Sequence, residues 1–509
     1  MNPRCALVFG LGALLVTGSV RAQQPATGLS VIHHPPPRPA PRRSAARLRP
    51  APPRPGTTTT ASLAGGPRTL ADALSVTYAY QPLLQSERAK LRATDENVPS
   101  ALAGWRPTVI TQGQVGYGDG ISRQFTAFLN GWEKIRTDRL LATAQATMTQ
   151  PLYTGGKTQA SVNQAKNKVM AERATLMAQE ESSFVNAVTA YVGVIQSQQL
   201  LQLNINNEQV LAKQLQATQD RFRAGELTRM DVAQAEAALS GAAAQREIAE
   251  GNLATARASF QQVVGFYPAS DLAEPQPLAL PVSGEQQVAA LAVANNPTVI
   301  SALFNDSAAR DQVDVAFSAL LPQVSLVGQA FQQNNAAARS SYSNGYQIGL
   351  QLSVPLYQGG AEYSAVRQAK QSQQQTERLV ADAQRTAAQQ GVQAWDTLAA
   401  ARASADSTRA QIRANQIALE GVEREAIVGS RTTLDVLNAQ QALLTSEVTL
   451  VQNLAQLVTA SYQVASAIGR LTARDLHLAV PLYDETAYYN AVKNRWFGLG
   501  DFATHQPGR

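Results

Sequence analysis

The longest regular pattern in the chain is a pair of helix-prone stretches, residues 157–223 and 361–427. Both are rich in Ala and Gln, carry charged side chains throughout and contain no proline, a composition that favours uninterrupted helix. At about 1.5 Å per residue, each would be on the order of 100 Å long. A glycine followed by Thr and Asp ends each stretch, which indicates a turn and a new helix start. Shorter helices are therefore predicted to return antiparallel at 229–264 and 433–468.

Short alternating segments precede each long helix. Residues 108–117, 139–150, 323–330 and 346–354 alternate apolar with polar or small side chains, which predicts two β-hairpins. In the last segment Tyr346, Ile348, Leu350, Leu352 and Val354 share one face. Alternation over about ten residues is typical of outer-membrane barrel strands, so Ile348, Leu350 and Leu352 are predicted to face lipid. A half-buried soluble hairpin has the same local pattern.

The chain contains an internal repeat. Pro-Leu-Tyr-x-Gly-Gly occurs at 151–156 and again at 355–360, and matching residues continue downstream at the same spacing. Upstream the spacing grows, because the first half has eleven extra residues between Pro107 and Pro151. The repeat indicates that the chain consists of two homologous halves that form one architecture. The predicted divisions are a signal peptide (1–22), a disordered arm (23–68), the first half (69–265), a crossing segment (266–284), the second half (285–469) and a tail (470–509).

The first copy of the repeated motif superficially matches a phosphate-binding loop, since it continues as Gly-Lys-Thr. That loop needs a glycine at position 151, where the chain has Pro151, and the second copy lacks the lysine. A strand-to-helix junction fits both copies better: proline ends the strand, tyrosine sits at a membrane interface and Gly-Gly turns the chain. The predicted junction residues are Pro151, Tyr153, Gly155, Gly156, Pro355, Tyr357, Gly359 and Gly360.

The N-terminal region differs in composition from the rest. A basic start, a short apolar run and a small-residue exit at Ala22 predict a secretory signal peptide. Residues 23–68 are dense in Pro and Arg, which favours extended, solvated chain. The single cysteine, Cys5, precedes the apolar run, so the exported chain is expected to have neither a disulfide nor a thiolate site.

Charge and histidine usage exclude several functions. The net charge of +6 comes from the N-terminal region, because residues 69–509 carry 34 basic and 37 acidic side chains. A nucleic-acid partner is therefore not expected for the folded part. Residues 69–476 contain no His and no Cys, which removes the commonest catalytic bases and metal ligands. We expect no catalytic residues, no metal site and no cofactor.

The predicted strands constrain the assembly. Four strands in an open sheet cannot sit in lipid, because the edge N–H and C=O groups would be unsatisfied. Closure requires other copies of the chain. Two copies would give a barrel filled by side chains, whereas three would leave room for a conduit.

The duplicated halves, the doubled junction motif and two glycine-centred tips together resemble the TolC-like family of outer-membrane efflux and type I secretion channels. The tips are Arg221–Val232 and Val428–Ala439. The resemblance implies a mainly α fold with a small β part, very long antiparallel coiled helices, and a homotrimer with a twelve-stranded transmembrane barrel on an α-helical tunnel. It also implies an outer-membrane location in a Gram-negative bacterium, with the tunnel in the periplasm.

The resemblance also implies roles for tip residues. Arg431 and Asp231 match a pair that holds the tunnel closed, and Asp435 matches a ring of acids that narrows the entrance and favours cations. A second acidic ring position is Asn438, and a gate tyrosine is replaced by Ala426, so we expect a looser, less cation-selective gate. The residues that match the adaptor-contacting tip are Gly225, Leu227, Val428, Gly429 and Ser430.

The favoured function is a passive exit duct of a tripartite efflux pump or type I secretion system. Its expected partners are further copies of itself, a periplasmic adaptor, an inner-membrane transporter and outer-membrane lipid. The alternative is a periplasmic adaptor or scaffold built on helical hairpins without a barrel. Adaptors would need a small β-rich domain interrupted by one hairpin, and the sequence contains no such segment.

Overall fold

The computed structural model describes residues 66–506, apart from 127, 129 and 337–339. The predicted signal peptide and all but the last three residues of the predicted arm lie outside this range. The described residues all belong to one unit of the chain.

Helices dominate the structure, and the two halves repeat the same order of elements. The first half comprises α1 (Leu70–Tyr80), α2 (Pro82–Asp95), α3 (Asn97–Leu102), β1 (Thr108–Thr126), β2 (Gly131–Tyr153), α4 (Lys157–Arg223) and α5 (Arg229–Val264). The second comprises α6 (Glu285–Asn295), α7 (Pro297–Phe317), β3 (Gln323–Asn334), β4 (Tyr342–Ser353), α8 (Ala361–Ile427) and α9 (Thr433–Ala467), and α10 (Ala487–Val492) lies in the tail.

The long helices α4 and α8 have the bounds that their composition predicted, and each packs against its returning partner, α5 or α9. Alanine is the commonest residue among their buried positions, for example Ala165, Ala171 and Ala174 on α4 and Ala401 and Ala405 on α8. Small side chains let helix backbones approach closely, so these helices pack side by side over their length.

The strands of the described residues form one antiparallel sheet with the order β1-β2-β3-β4. The first hairpin is the longer, with strands of 19 and 23 residues against 12 and 12 in the second. The extra length accounts for the eleven additional residues of the first half. All four predicted strands were too short, and the largest errors were in the first hairpin, where β1 was predicted to end at residue 117 and β2 to begin at residue 139. Charged residues interrupt the alternation there, but backbone pairing continues.

The prediction that proline ends the strand was wrong in the first half. β2 continues through Pro151, which pairs with Ser325, and ends at Tyr153 after a shift of register. Proline has no N–H to donate and is tolerated in sheets where such an irregularity occurs. In the second half, β4 ends at Ser353, before Pro355, as predicted.

The main hydrophobic core lies where α1, α2, the middle of α4 and the tail meet. Phe184, Val188 and Tyr191 on α4 are fully buried, together with Leu471 of the tail. The Tyr191 hydroxyl lies 2.7 Å from the carbonyl oxygen of Ala273, in the crossing segment. Burial raises the pKa of Tyr191 to about 12, so this hydroxyl stays protonated as a donor. The core therefore fixes both the crossing segment and the tail to the middle of the long helices.

The segment Glu285–Leu320 has a stretch of mean hydropathy 1.3, apolar enough to suit a membrane helix. It is broken, however, because Asn296 caps α7 and Pro297 begins it. Val288 and Val299 are buried against the rest of the chain. The segment therefore belongs to the helical packing.

Candidate functional site

The strand register gathers apolar side chains on one face of the sheet. Leu326 is opposite Leu350, Val324 is opposite Leu352 and Gly328 is opposite Ile348. On the first hairpin the same face holds Val109 opposite Met148, and Val115 opposite Ala142. In the single chain Ile348, Leu350 and Leu352 are 72%, 71% and 64% exposed. A continuous band of exposed apolar side chains is the surface that a lipid environment covers.

The opposite face of the sheet is mainly polar. It carries Gln112 opposite Gln145, and Gln329 opposite Gln347, whose side chains are hydrogen-bonded at 2.6 Å. Thr143, Thr147 and Thr149 lie on the same face of β2 as Gln145. Uncharged amides and hydroxyls suit a water-filled interior. The sheet thus separates an apolar side from a hydrated side.

Paired glycines make the turn from each strand into its long helix. Gly155 and Gly156 have φ of +64° and +84°, and Gly359 and Gly360 have +72° and +85°. This left-handed backbone is strained for any residue with a Cβ. Gly155 also lies so close to Leu321 that an added Cβ would be 2.8 Å from the Cβ of that leucine. The repeated motif is therefore a structural junction, and Tyr153 and Tyr357 lie exposed beside it.

Each long helix ends in a tip with the same construction. Gly225 and Gly429 both have φ of +82°. Thr228 and Thr432 then cap the returning helices, and each hydroxyl and backbone N–H bonds the aspartate three residues on, Asp231 or Asp435. These capping boxes satisfy backbone donors that would otherwise be free at a helix start. The tip residues Val428 and Ser430 are exposed, and Leu227 is half-buried.

The two acids keep their charge at the tip. Hydrogen bonds from Thr228 lower the pKa of Asp231, and bonds from Thr432 together with the charge of Arg431 lower the pKa of Asp435. Both carboxylates are therefore ionised at neutral pH. Asn438 lies exposed on α9, three residues after Asp435 and on the same side of the helix.

Arg431 and Asp231 are not paired with each other within the described chain. Arg431 Nε bonds Glu425 Oε2 at 2.8 Å across its own tip, whereas Asp231 is within reach of Thr433 at the start of α9. The two tips of one chain thus meet through Asp231 and Thr433. In a single chain Arg431 is engaged locally.

Sequence reasoning overlooked two tip residues, Glu226 and Glu425. Arg221 bonds Glu226 at 3.0 Å across the first tip, and Glu425 bonds Arg431 across the second. The sequence signal for these ion pairs was a pair of opposite charges, five or six residues apart, on either side of a turn glycine. The overlooked pairs link the two sides of each tip.

A sheet with one apolar and one polar face, joined to long paired helices that end in tight tips, defines an outer-membrane channel with a helical extension. The chain belongs to the outer membrane efflux protein family, whose profile matches residues 74–266 and 288–470. The two matched segments correspond to the two halves of the repeat.

Related proteins agree with this assignment. Outer membrane efflux protein BepC of Brucella suis biovar 1 is 36% identical over 435 residues, covering 85% of this chain and 92% of that protein. Outer membrane protein TolC of Escherichia coli is 25% identical over 374 residues, covering 70% of this chain and 75% of that protein. The crystal structure of the outer membrane protein VceC from Vibrio cholerae superposes with a TM-score of 0.69 at 19% identity, covering 79% of this chain and 96% of that one.

The favoured function and location are thereby confirmed. The chain is an exit duct in the outer membrane of a Gram-negative bacterium, serving efflux or type I secretion, and its long helices extend into the periplasm. The family consists of channel proteins.

Proposed function

We propose that three copies of this chain form the working duct, with a twelve-stranded barrel in the outer membrane and a tunnel of long helices below it. The observation that carries the proposal is the open sheet. β1 and β4 each pair with only one strand among the described residues, so both edges need partners before the sheet can enter lipid. Pairing β1 of one copy with β4 of the next closes the barrel.

The proposed barrel uses both faces of the sheet. Ile348, Leu350 and Leu352 face lipid, and the glutamine and threonine face lines the conduit. The junction residues of the two motifs lie at the periplasmic rim, where Tyr153 and Tyr357 reach the membrane interface. Residues 1–22 are removed during export. The remaining chain, residues 23–509, keeps the predicted arm, two halves, crossing segment and tail.

The tips form the periplasmic gate in this arrangement. A ring of Asp435 from three copies places three ionised carboxylates around the entrance, which favours cations. Opening or closing then depends on whether Arg431 bonds Glu425 of its own tip or Asp231 of a neighbouring helix. Asn438 adds no charge to the ring, which lowers the cation preference.

The exposed residues of the tips meet a periplasmic adaptor, which links the duct to an inner-membrane transporter that supplies the energy. Gly225 and Gly429 shape the contact, and Leu227, Val428 and Ser430 contribute side chains. Val428 is 79% exposed, and an exposed apolar side chain at a tip favours a docking role.

The mass of the detergent-extracted particle tests the assembly. We expect native mass spectrometry of the outer-membrane fraction to give three times the mass of the processed chain. A monomer or dimer that leaves the membrane without detergent would contradict the shared barrel. The chain would then have to meet the unpaired strand edges in some other way.

A further inference from the structure

The outer part of the first hairpin carries charged side chains that have no role in the proposed duct. β2 pairs with β3 only from Ala142 onward. Beyond that point, residues 116–126 and 131–141 continue as a two-stranded ribbon at the end of the sheet opposite the helix junctions. The proposed orientation places this ribbon at the cell exterior, and the inference rests on that orientation.

The ribbon continues the apolar face of the sheet outward. Moving outward from the sheet, the directly opposed pairs on this face are Tyr117 with Leu140, Asp119 with Asp138, Ile121 with Arg136, Arg123 with Lys134, and Phe125 with Trp132. Tyr117 and Leu140 are both more than half exposed and end the apolar band. Charged and then aromatic side chains follow.

Most of these charges have partners. Arg136 bonds Asp119 at 3.2 Å, and the Tyr117 hydroxyl donates to Asp138 at 2.5 Å. Arg123 and Lys134 differ, because they are two like charges placed directly opposite each other. No ion pair or hydrogen bond joins either side chain to another group in the described part of the chain. Directly opposed like charges destabilise a strand pair, so this arrangement favours binding of an anion between them.

We propose that Arg123 and Lys134 bind a phosphate group of the lipopolysaccharide that forms the outer leaflet. They lie six residues beyond Tyr117, about 20 Å along the strand, which is about 15 Å along the membrane normal at a tilt of ~40°. That height is above the hydrocarbon layer, among phosphorylated sugars. The Arg123 guanidinium can grip a phosphate with two N–H groups, and the Lys134 ammonium adds a point charge.

The flanking residues fit the same ligand. Ile121, on the membrane side of the cation pair, is exposed and apolar. Phe125 and Trp132, on the outer side, form an edge-to-face pair with ring centroids 5.7 Å apart, and aromatic rings of this kind present flat faces to sugar rings. A phosphorylated glycolipid offers acyl chain, phosphate and sugar in that order, which matches the order of Ile121, the cation pair and the aromatic pair.

Binding of bisphosphorylated lipid A to the detergent-purified assembly tests the proposal by native mass spectrometry. We expect the double variant Arg123→Gln/Lys134→Gln to bind at least tenfold more weakly than the unmodified protein. The control Arg402→Gln/Arg413→Gln removes the same charge from exposed positions on α8 and should bind normally. Lipid A without its phosphates should bind the unmodified protein as weakly as the double variant binds intact lipid A.

Other outcomes overturn the proposal. These are equal binding by both double variants, no binding by the unmodified protein, or full competition by millimolar inorganic phosphate, which would indicate a free-phosphate site. Conductance of the same preparations in planar bilayers is measured in parallel. If the assembly conducts but does not bind lipid A, only the lipid site is refuted. If the preparation neither conducts nor contains three chains, the proposed duct is refuted.

Discussion

The guanidinium of Arg88 lies between two aromatic rings, 5.1 Å from the ring centroid of Tyr483 and 4.5 Å from that of Tyr78. Arg88 is 1% exposed, and its Nη2 donates to the carbonyl oxygen of Tyr78 at 3.1 Å. Tyr78 belongs to α1 and Tyr483 to the tail, so one buried cation joins the beginning and the end of the described chain.

Replacing this cation should loosen the tail. We expect Arg88→Leu to destabilise the tail contact by about 2–4 kcal/mol, because two cation–π contacts and a buried hydrogen bond are lost. Trypsin cleavage at the exposed Arg474 should then become faster than in the unmodified protein. The exposed Arg402→Leu serves as the control. If the tail is as well protected in Arg88→Leu as in the unmodified protein, the contacts of Arg88 with Tyr78 and Tyr483 do not hold the tail.

The attachment of the tail should weaken as pH rises. Burial raises the pKa of Glu181 from 4.5 to about 8, despite the hydrogen bond that its carboxylate accepts from the Leu471 N–H. The folded state therefore holds a proton that the unfolded state releases, so this stability is full below about pH 4.5 and is lost as pH rises toward 8. Burial also raises the pKa of the neighbouring Glu180, which adds a contribution of the same sign.

Proteolysis of the tail at a series of pH values measures this effect. In Glu181→Gln the amide oxygen still accepts from Leu471, but the group cannot titrate, so the pH dependence between 4.5 and 8 should become shallower. An unchanged slope in this variant would assign the pH dependence to other groups.

The two copies of the junction should differ in their tolerance of a side chain. Gly155→Ala and Gly359→Ala both place a Cβ at positive φ, which costs about 1–2 kcal/mol. Only at Gly155 does that Cβ also meet Leu321 and the Ser318 carbonyl oxygen, at 2.8 and 2.9 Å. We expect Gly155→Ala to assemble less and to melt at a lower temperature than Gly359→Ala. Equal behaviour would mean that the chain shifts to relieve the contact.

Adjacent residues on β4 test which face meets lipid. An arginine on the lipid face of a barrel costs about 2–4 kcal/mol near the bilayer centre, and far less on the hydrated face. Leu350→Arg should therefore reduce the amount of assembled protein in the outer membrane, while Gln351→Arg should assemble normally. Fractionation followed by native gel electrophoresis gives the comparison. The reverse order would place the glutamine face in lipid.

The charge of the tip should control ion selectivity. We expect Asp435→Asn to shift the reversal potential in a salt gradient toward anions, because three negative charges leave the proposed entrance. Thr432→Ala is the matched control, since it removes the capping hydroxyl and keeps the carboxylate. That loss costs about 1 kcal/mol of helix stability. If Thr432→Ala shifts the ion selectivity as strongly as Asp435→Asn, the capping of the first turn of α9 governs the selectivity, and not the charge of Asp435.

Local signals were enough to predict the helices and the face of the sheet. The absence of proline and the glycines at both ends set the bounds of α4 and α8. Strict alternation on β4 placed Leu350 and Leu352 on one face, and the pairing with Leu326 and Val324 bears this out. Such features depend on neighbouring residues alone, so a sequence reveals them.

Other features depend on contacts that no local pattern encodes. The outer ribbon was missed because backbone hydrogen bonds extend β1 past the point where its side chains stop alternating. The tail was predicted only as a segment, since Tyr78 and Tyr483 are 405 residues apart. The pairing of Arg431 with Glu425 was missed, because the sequence does not show that a glutamate on the same tip competes with the aspartate on another helix.

The long-range contacts of the tail also affect the order of folding. Tyr483 donates its N–H to the Tyr78 hydroxyl, and Arg106 donates to the Arg495 carbonyl oxygen. A chain that emerges from the inner membrane with its N-terminus first presents α1 and α2 long before these partners arrive. Closing so large a loop is slow compared with forming local helix pairs. The central core is therefore completed only after the last segment has been translocated, and a chain arrested during export keeps an apolar surface open to periplasmic chaperones and proteases.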